Sequence, residues 1–205
     1  MDASMYHDGQ RKLQDEFDTR RMADMLEHSV HDCLNPKQRA FIESADMFFL
    51  ATADKDGHPS CAYRGGDPGF VRCLDEHTLI VPNYDGNGMY VSWGNAIDNP
   101  HVGLLFIDFM KGWRLRIQGV ASISEDDPLM NEYAGAQFIV RITVREAFGN
   151  CPRYVHKYQL VERSSYVPRK DCTTPVPDWK QKTEVRELLP RNDPARKLSP
   201  PSPPT

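Results

Sequence analysis

The amino-acid sequence predicts a mainly β protein of the α+β class, a small closed or split barrel of antiparallel strands. Short apolar stretches separated by turn residues follow one another from residue 47 onward, which is typical of strands. Helical periodicity is confined to the beginning of the chain and to short connections. A parallel sheet would alternate strands with long helices, so this order favours an antiparallel barrel.

The first part of the chain, residues 10–34, has the spacing of an amphipathic helix. Its apolar residues recur every three or four positions among charged ones: Leu13, Phe17, Met22, Met25, Leu26 and Val30. Such a stripe indicates packing, either in the core or between the copies of a dimer. Asn35 followed by Pro36 then predicts the start of a second short helix, since Asn caps helix N-termini and Pro suits the first turn.

Seven stretches have the pattern of strands: MFFLATAD, HPSCAYR, FVRCL, HTLIVPN, HVGLLFIDF, WRLRIQGVASIS and QFIVRITVREAFG. The first two form a predicted hairpin whose turn places Gly57 at a position of positive φ. In the sixth stretch, Arg114, Arg116 and Gln118 alternate with apolar residues, which predicts a strand with one buried and one polar face. A short helix capped near Asp126 is expected before the last strand.

Composition excludes several classes of protein. The 205 residues carry a net charge of −4, which argues against a nucleic-acid partner because such proteins need a basic surface. The five cysteines and seven histidines show no zinc-binding spacing, so no metal site is expected. With neither a signal peptide nor an apolar run of membrane-spanning length, the expected location is the cytoplasm, with no membrane contact.

A polar stretch, residues 85–95, precedes the fifth predicted strand and is called the cradle below. It combines two glycines in a turn with the neutral donors Asn87, Ser92 and Asn95, spaced for the first turns of a helix. Backbone N–H groups at such a turn stabilise negative charge, so the cradle suits an anion such as phosphate. The same residues also fit a plain turn.

A phosphate site also needs a cation, and two arginines flank the nearby glycine-rich loop. Arg64 ends one predicted strand and Arg72 begins the next, and either could bind phosphate through two hydrogen bonds. Gly65 and Gly66 leave room for a flat group close to the backbone. A flat ring with a phosphate tail is the shape of flavin mononucleotide (FMN).

The sequence resembles the pyridoxamine 5'-phosphate oxidase-like, FMN-binding split-barrel family, in its branch of flavin-nucleotide-binding proteins. The resemblance rests on the stretch from FFLATADKDGHPSCAYRGGDPGF to WGNAIDNPHVGLLFIDF, followed in order by RLRIQGVASI and NCPRYVHKY. It covers residues 35–179. The family implies a six-stranded antiparallel split barrel with N-terminal and short connecting helices, and a homodimer with two FMN sites at the interface.

The resemblance also implies which residues bind the cofactor. The expected set along the flavin, its ribityl chain and its phosphate is Arg64, Gly65, Gly66, Pro82, Asn83, Asn87, Ser92 and Asn95. Arg116 and Gln118 are expected to reach the flavin from the partner subunit. The expected substrate cleft consists of Cys151, Pro152, Arg153, Tyr154, His156 and Trp179.

The sequence departs from true pyridoxamine-phosphate oxidases at two places. Their Ser-Arg-Lys phosphate motif corresponds here to DGNGMYVSWGN, which has no basic residue, and their C-terminal substrate segment is not recognisable. The expected function is therefore an FMN-dependent oxidoreductase acting on a small molecule other than vitamin B6. The alternatives are a deazaflavin-dependent reductase and a non-catalytic flavin- or haem-binding protein.

Three segments are expected along the chain. Residues 1–34 form an N-terminal helical extension, residues 35–180 form the FMN-binding split barrel, and residues 181–205 form a Pro-rich tail. Because the end of the tail has too few apolar residues to offset the entropy of ordering, it is expected to be disordered.

Overall fold

A computed structural model describes residues 4–197 of the protein. The chain divides into two compact units, one ending at Val161 and the other beginning at Glu162. No helix among the described residues is both long enough and apolar enough to cross a membrane. The expected domain limits at residues 34/35 and 180/181 stay predictions.

The N-terminal region contains two helices where the sequence predicted one. Helix α1 spans Asp8–Glu16 and α2 spans Arg20–Glu27. Between them, Asp18 has a φ of 52°, and one residue in the left-handed region is enough to reverse the chain. The prediction of a continuous helix over residues 10–34 is therefore wrong.

Helix α3 spans Pro36–Ser44 and begins as the sequence predicted. The Asn35 side chain accepts the backbone N–H of Gln38, and the Gln38 side chain accepts the backbone N–H of Asn35, both at 2.9 Å. This reciprocal capping box satisfies two backbone donors that an uncapped helix leaves open.

The first unit is built on one antiparallel sheet of seven strands, confirming the predicted mainly β fold class. The strands are β1 (Met47–Ala53), β2 (Pro59–Gly65), β3 (Arg72–Cys73), β4 (Thr78–Tyr84), β5 (His101–Asp108), β6 (Trp113–Ser124) and β7 (Ala136–Asn150). Their order in the sheet is β2-β1-β5-β6-β7-β4-β3. Six strands are long, and β3, with two residues, accounts for the difference from the six expected of the family.

The inner face of this sheet forms the main core. Phe48 and Phe106 are fully buried, and their ring centroids lie 5.2 Å apart. Along β6, Leu115 and Ile117 are buried while Arg116 is exposed, as the alternation of the sequence predicted. The polar residues of β6 are therefore left on the outer face.

Two short helices connect the later strands. Helix α4 spans Val91–Asp98, between β4 and β5, and buries Trp93 against the core. A 3-10 helix, Pro128–Glu132, precedes β7 and is capped by Asp127, next to the Asp126 near which the sequence predicted a cap.

The second unit contains helices α5 (Asp178–Gln181) and α6 (Thr183–Arg186) and a 3-10 helix, Pro194–Lys197. Within it, Lys180 Nζ lies 2.7 Å from the carboxylate of Asp193. Part of the predicted Pro-rich tail thus has a regular conformation. Residues 198–205 lie outside the described residues, and the disorder of the tail as a whole stays a prediction.

Candidate functional site

The structure brings together three side chains from different elements, called the Arg64 cluster: Arg64 of β2, Asn83 of β4 and Trp93 of α4. The Arg64 guanidinium carbon lies 5.0 Å from the centre of the Trp93 ring, a cation–π distance. Its Nη1 lies 3.5 Å from Asn83 Oδ1, at the outer limit of a hydrogen bond. Two of these residues, Arg64 and Asn83, were predicted cofactor ligands.

Asn83 is the centre of a polar network in an otherwise apolar region. Its Oδ1 accepts the indole N–H of Trp93 at 2.8 Å, and its Nδ2 donates to Gln137 Oε1 at 2.8 Å. The hydroxyl of Tyr90 donates to the same Gln137 oxygen at 3.1 Å. These bonds fix the orientation of the buried Asn83 amide and of the Trp93 ring.

Sequence reasoning missed Trp93, Gln137 and Tyr90. For Trp93 a signal exists, because a buried Trp needs an acceptor for its N–H and the chain places polar residues at the end of the preceding strand. Gln137 lies far from Asn83 along the chain, and only the pairing of β4 with β7 brings them together.

Among the described residues, the Arg64 guanidinium has no carboxylate partner. Its Nε is buried and has no hydrogen-bond partner, and its nearest acceptor is a neutral amide. Burial lowers the pKa of Arg64, the direction expected when desolvation of the charged form is not offset by a nearby carboxylate. A buried cation without a counter-charge is costly in free energy, so the surroundings of Arg64 suit a bound anion.

Arg72, the other candidate cation, is already neutralised. It forms an ion pair with Glu132 at 2.6 Å and donates its Nε–H to the Tyr133 hydroxyl at 2.7 Å. These bonds raise the pKa of Arg72 and leave it no need for an external anion. Of the two arginines that flank the glycine-rich loop, the structure therefore favours Arg64 as the anion-binding one.

The cradle leads into α4 as the sequence indicated. No described side chain caps this helix, and its N-cap Tyr90 has a left-handed backbone with φ 50°. The first N–H groups of α4 therefore remain available to an anion, and the helix dipole adds positive potential at this end.

The three predicted cradle donors differ in their surroundings. Ser92 is buried in the first turn of α4. Asn95 donates its Nδ2–H to the Thr52 hydroxyl of β1 at 3.2 Å, which ties the helix to the sheet. The exposed Asn87 uses its side-chain oxygen to accept the Met89 N–H at 3.0 Å, as in an ordinary turn. Their contact with a phosphate stays a prediction.

The two glycines of this loop, Gly65 and Gly66, lie close to aromatic side chains. A Cβ on Gly66 would come within 2.4 Å of the Phe70 ring, and one on Gly65 within 2.8 Å of the Tyr63 ring. The Gly66 N–H donates to the Asp46 carbonyl at 2.9 Å, so it is not free for a ligand. Packing against Phe70 accounts for Gly66, whereas the Tyr63 ring beside Gly65 is exposed and free to move aside. The contact predicted between the two glycines and a flavin stays a prediction. Pro82 is buried in β4, and its predicted contact with the flavin also stays a prediction.

Arg116 and Gln118 lie on the exposed face of β6, away from the core. One row of side chains crosses five strands on this face in the order Tyr63, Phe49, Leu105, Arg116 and Phe148. This row is called the outer row. It is the face on which a partner subunit could meet Arg116.

The predicted substrate residues follow β7. Cys151, Arg153, Tyr154 and His156 are exposed, and the Arg153 guanidinium carbon lies 5.9 Å from the Tyr154 ring centre. No described hydrogen bond or ring contact joins them to the Arg64 cluster. Trp179 belongs to α5 in the second unit. Their role in binding a substrate stays a prediction.

One group of polar side chains on the β1–β2 turn could in principle hold a cation. Ligand atoms of Asp54, Asp56 and His58 lie within 4.8 Å of one another. Asp54 already accepts the N–H groups of Asp56 and His58, and its second oxygen lies 3.0 Å from the His58 ring. These bonds are those of an exposed hairpin turn.

Fold and site together define an antiparallel split-barrel protein with a half-buried arginine beside α4. The sequence pattern of the family described as pyridoxamine 5'-phosphate oxidase matches residues 34–162. Since this match spans more than half of the chain, the protein belongs to that family. No curated protein matches the sequence.

Several solved structures are similar to this chain. The Group A Streptococcus protein HupZ is 17% identical, with a TM-score of 0.47, covering 62% of this chain and 99% of its own. HutZ, the heme storage protein of Vibrio cholerae, is 21% identical, with a TM-score of 0.39, covering 55% and 89%. An FMN-binding protein of Syntrophomonas wolfei is 12% identical, with a TM-score of 0.37, covering 69% and 96%.

Proposed function

We propose that the protein is an FMN-dependent oxidoreductase that acts on a small molecule other than vitamin B6. The observation that carries this proposal is the half-buried Arg64 guanidinium, which in the part of the chain that the structure describes has no carboxylate partner and an unsatisfied Nε. A flavin phosphate supplies the missing negative charge, and membership of the family makes FMN the first cofactor to test.

The residues of the Arg64 cluster fit such a cofactor. Arg64 would provide the counter-charge, and Asn83, held by Trp93 and Gln137, would offer a fixed amide. The uncapped N-terminus of α4 would stabilise phosphate oxygens through its N–H groups. When bound, the isoalloxazine ring supplies the hydride or electron transfer.

The protein itself would orient the ring and limit access of water to it. Trp93 is buried and clamped by its indole hydrogen bond, so it gives the site a rigid apolar wall. Substrate recognition belongs in this proposal to Cys151, Arg153, Tyr154 and His156. Arg116 and Gln118 would reach the cofactor of a partner subunit in a homodimer, because they lie on the exposed face of β6.

The first experiment is the visible absorption spectrum of the purified protein, before and after denaturation. Release of one FMN per subunit supports the proposal. A colourless protein is titrated with FMN, with the deazaflavin F420 and with haem, which distinguishes the flavin enzyme from a deazaflavin reductase and from a haem-binding protein. Failure to bind added FMN would refute the proposal.

Turnover is the second part of the test. FMN-loaded protein is reduced anaerobically with NADH or NADPH, and reoxidation is followed with candidate acceptors. A bound flavin that neither reductant reduces would favour a non-catalytic flavin carrier.

A further inference from the structure

The two N-terminal helices form a helical hairpin with an uncovered apolar face. The members of this face, called the hairpin face, and their exposed fractions are Leu13 56%, Phe17 69%, Met22 57%, Met25 57% and Leu26 50%. None of the residues in α1 or α2 is buried. The sequence left open whether this stripe packs in the core or between copies, and within the described chain it does not pack in the core.

The contacts that hold α1 and α2 together are polar. Arg11 forms an ion pair with Asp24 at 2.6 Å, and the Tyr6 hydroxyl donates to the Ala23 carbonyl at 3.2 Å. Arg11 also lies over the Tyr6 ring, 4.6 Å from its centre. These contacts hold the hairpin together without using its apolar side chains, which remain directed outward.

Such a hairpin needs a partner surface to be stable. Helices shorter than about 12 residues are marginal in water by themselves, and most helical stability comes from packing of the apolar face. Five large apolar side chains, each about half exposed or more, would otherwise form a patch typical of an interaction site.

We propose that the hairpin face of one copy packs on a second copy of the same chain. The exposed fractions of the five side chains correspond to roughly 600 Å² per copy. Two symmetric contacts would therefore bury roughly 1,200 Å² of the hairpin faces alone, which already reaches the lower end of the total area for specific interfaces. This inference rests on the homodimer of the proposed function and is independent of its cofactor.

The place where the hairpin is attached to the sheet supports a second copy of the chain as its partner. His31, just after α2, forms backbone hydrogen bonds with Ala147 of β7, at 3.3 and 2.7 Å. The next residue of β7, Phe148, belongs to the outer row that also contains Arg116. A subunit docked on the outer row would therefore meet the hairpin at the edge of the same surface.

Charge argues against the main alternative, a lipid surface. Amphipathic helices that bind membranes are rich in Lys and Arg on their polar face. In residues 8–27 the carboxylates outnumber the basic side chains: Asp8, Asp15, Glu16, Asp18, Asp24 and Glu27 against Arg11, Lys12, Arg20 and Arg21. An acidic hairpin is repelled by anionic lipid and suits a protein partner.

Photo-cross-linking of the full-length protein identifies the occupant. Benzoylphenylalanine is placed at position 22, and ¹⁴N- and ¹⁵N-labelled proteins are mixed, unfolded, refolded together and irradiated. The proposal expects cross-linked peptides that combine the two isotopes. Cross-links of a single isotope only, or none at all, would overturn it.

Sedimentation of point variants gives an independent measurement. Removing Phe17 and Met25 together (Phe17→Ser/Met25→Ser) is expected to raise the dimer dissociation constant at least about tenfold, which corresponds to about 1.4 kcal/mol. Leu74→Ser, at a side chain that is also 50% exposed but lies between β3 and β4, is the matched control and should leave the constant unchanged.

The outcomes separate this inference from the proposed function. An unchanged dissociation constant in the double variant contradicts the role of the hairpin, whatever FMN does. A protein that binds FMN as a monomer overturns the hairpin contact and leaves the flavin proposal standing. Circular dichroism of each variant checks that the barrel remains folded.

Discussion

Arg64 is the residue with the clearest conflict between its charge and its surroundings. It is half-buried and lies over Trp93, and the acceptor that it contacts among the described residues is the neutral amide of Asn83. A side chain in this state either lowers the stability of the protein or binds an anion. The uncapped N-terminus of α4 beside it is consistent with the anion of the proposed function.

Replacement of this side chain tests the site. In Arg64→Ala the affinity for FMN should fall by about 1.5–3 kcal/mol, the size of a hydrogen bond to a charged group. Titration of flavin fluorescence at constant salt measures the change. An affinity equal to that of the wild type would remove Arg64 from the site.

Arg72→Ala is the matched control, since this arginine flanks the same loop. It should lose stability, because Glu132 and Tyr133 lose their partner, yet bind FMN with unchanged affinity. Thermal melting and the same fluorescence titration separate the two effects. Weaker FMN binding in a variant that remains folded would contradict this assignment.

The ion pair between Asp127 and Arg141 should make the stability of the fold depend on pH. It accepts two hydrogen bonds from Arg141, at 2.6 and 3.1 Å, and these hold the pKa of Asp127 below its ordinary value of 3.8. Because the pKa is lower in the folded than in the unfolded protein, the ion pair stabilises the fold above about pH 4. This stabilisation is lost as the pH falls through the folded-state pKa.

The variant Asp127→Asn keeps an oxygen that can cap the 3-10 helix and removes the charge. At pH 7 it should reduce the free energy of unfolding by about 1–3 kcal/mol. The difference from the wild type should shrink as the pH falls below about 4, because the unfolded carboxylate is protonated first, and should vanish once the native carboxylate is protonated as well. Urea unfolding at both pH values measures it, and a difference independent of pH would exclude the ion pair as its cause.

At the scale of elements, the N-termini of α3 and α4 differ in whether a side chain caps them. Helix α3 is closed at its N-terminus by the Asn35–Gln38 capping box, whereas α4 has no side-chain cap. The first arrangement serves stability, and in the proposed function the second leaves N–H groups for the phosphate. The two helices thus use the same backbone chemistry for different purposes.

Capping makes a testable contribution to stability. Asn35→Ala should destabilise the first unit by about 1 kcal/mol, because the N–H of Gln38 loses its acceptor. Asn35→Ser retains an oxygen at the same position and should restore most of the loss. Chemical unfolding of the three proteins provides the comparison, and equal stability of the Ala variant and wild type would contradict the role of the cap.

At the scale of the whole molecule, the antiparallel order of the strands determines where the site lies. The strands β2 and β4 are far apart in the sheet order, and α4 packs so that Trp93 meets side chains from both. The cofactor site proposed here is therefore a property of the folded barrel and not of any single motif.

Ligand binding should therefore stabilise the fold as a whole. At an FMN concentration of about 100 times its dissociation constant, the folded state gains about 2.7 kcal/mol. For a chain of this length that corresponds to an increase in Tm of roughly 5–11 °C. Differential scanning fluorimetry measures the shift, and a folded Arg64→Ala protein at the same FMN concentration should show a smaller one.

The local pattern of the sequence determined the elements of this protein. The strand stretches, the positive φ of Gly57, the cap at Asn35 and the polar outer face at Arg116 depend on neighbouring residues, and the structure has all of them. The break at Asp18 was not predicted, because the apolar spacing continues across it and a single backbone angle reverses the chain.

Only the tertiary structure decided which polar residues act together. Arg64 and Arg72 are equivalent as local sequence, and the difference between them arises because Glu132 lies beside one and Trp93 beside the other. The contacts among Asn83, Trp93 and Gln137 depend on strand pairing across long separations. Burial and long-range contact set the electrostatics of a site, and neither quantity is contained in a local stretch of sequence.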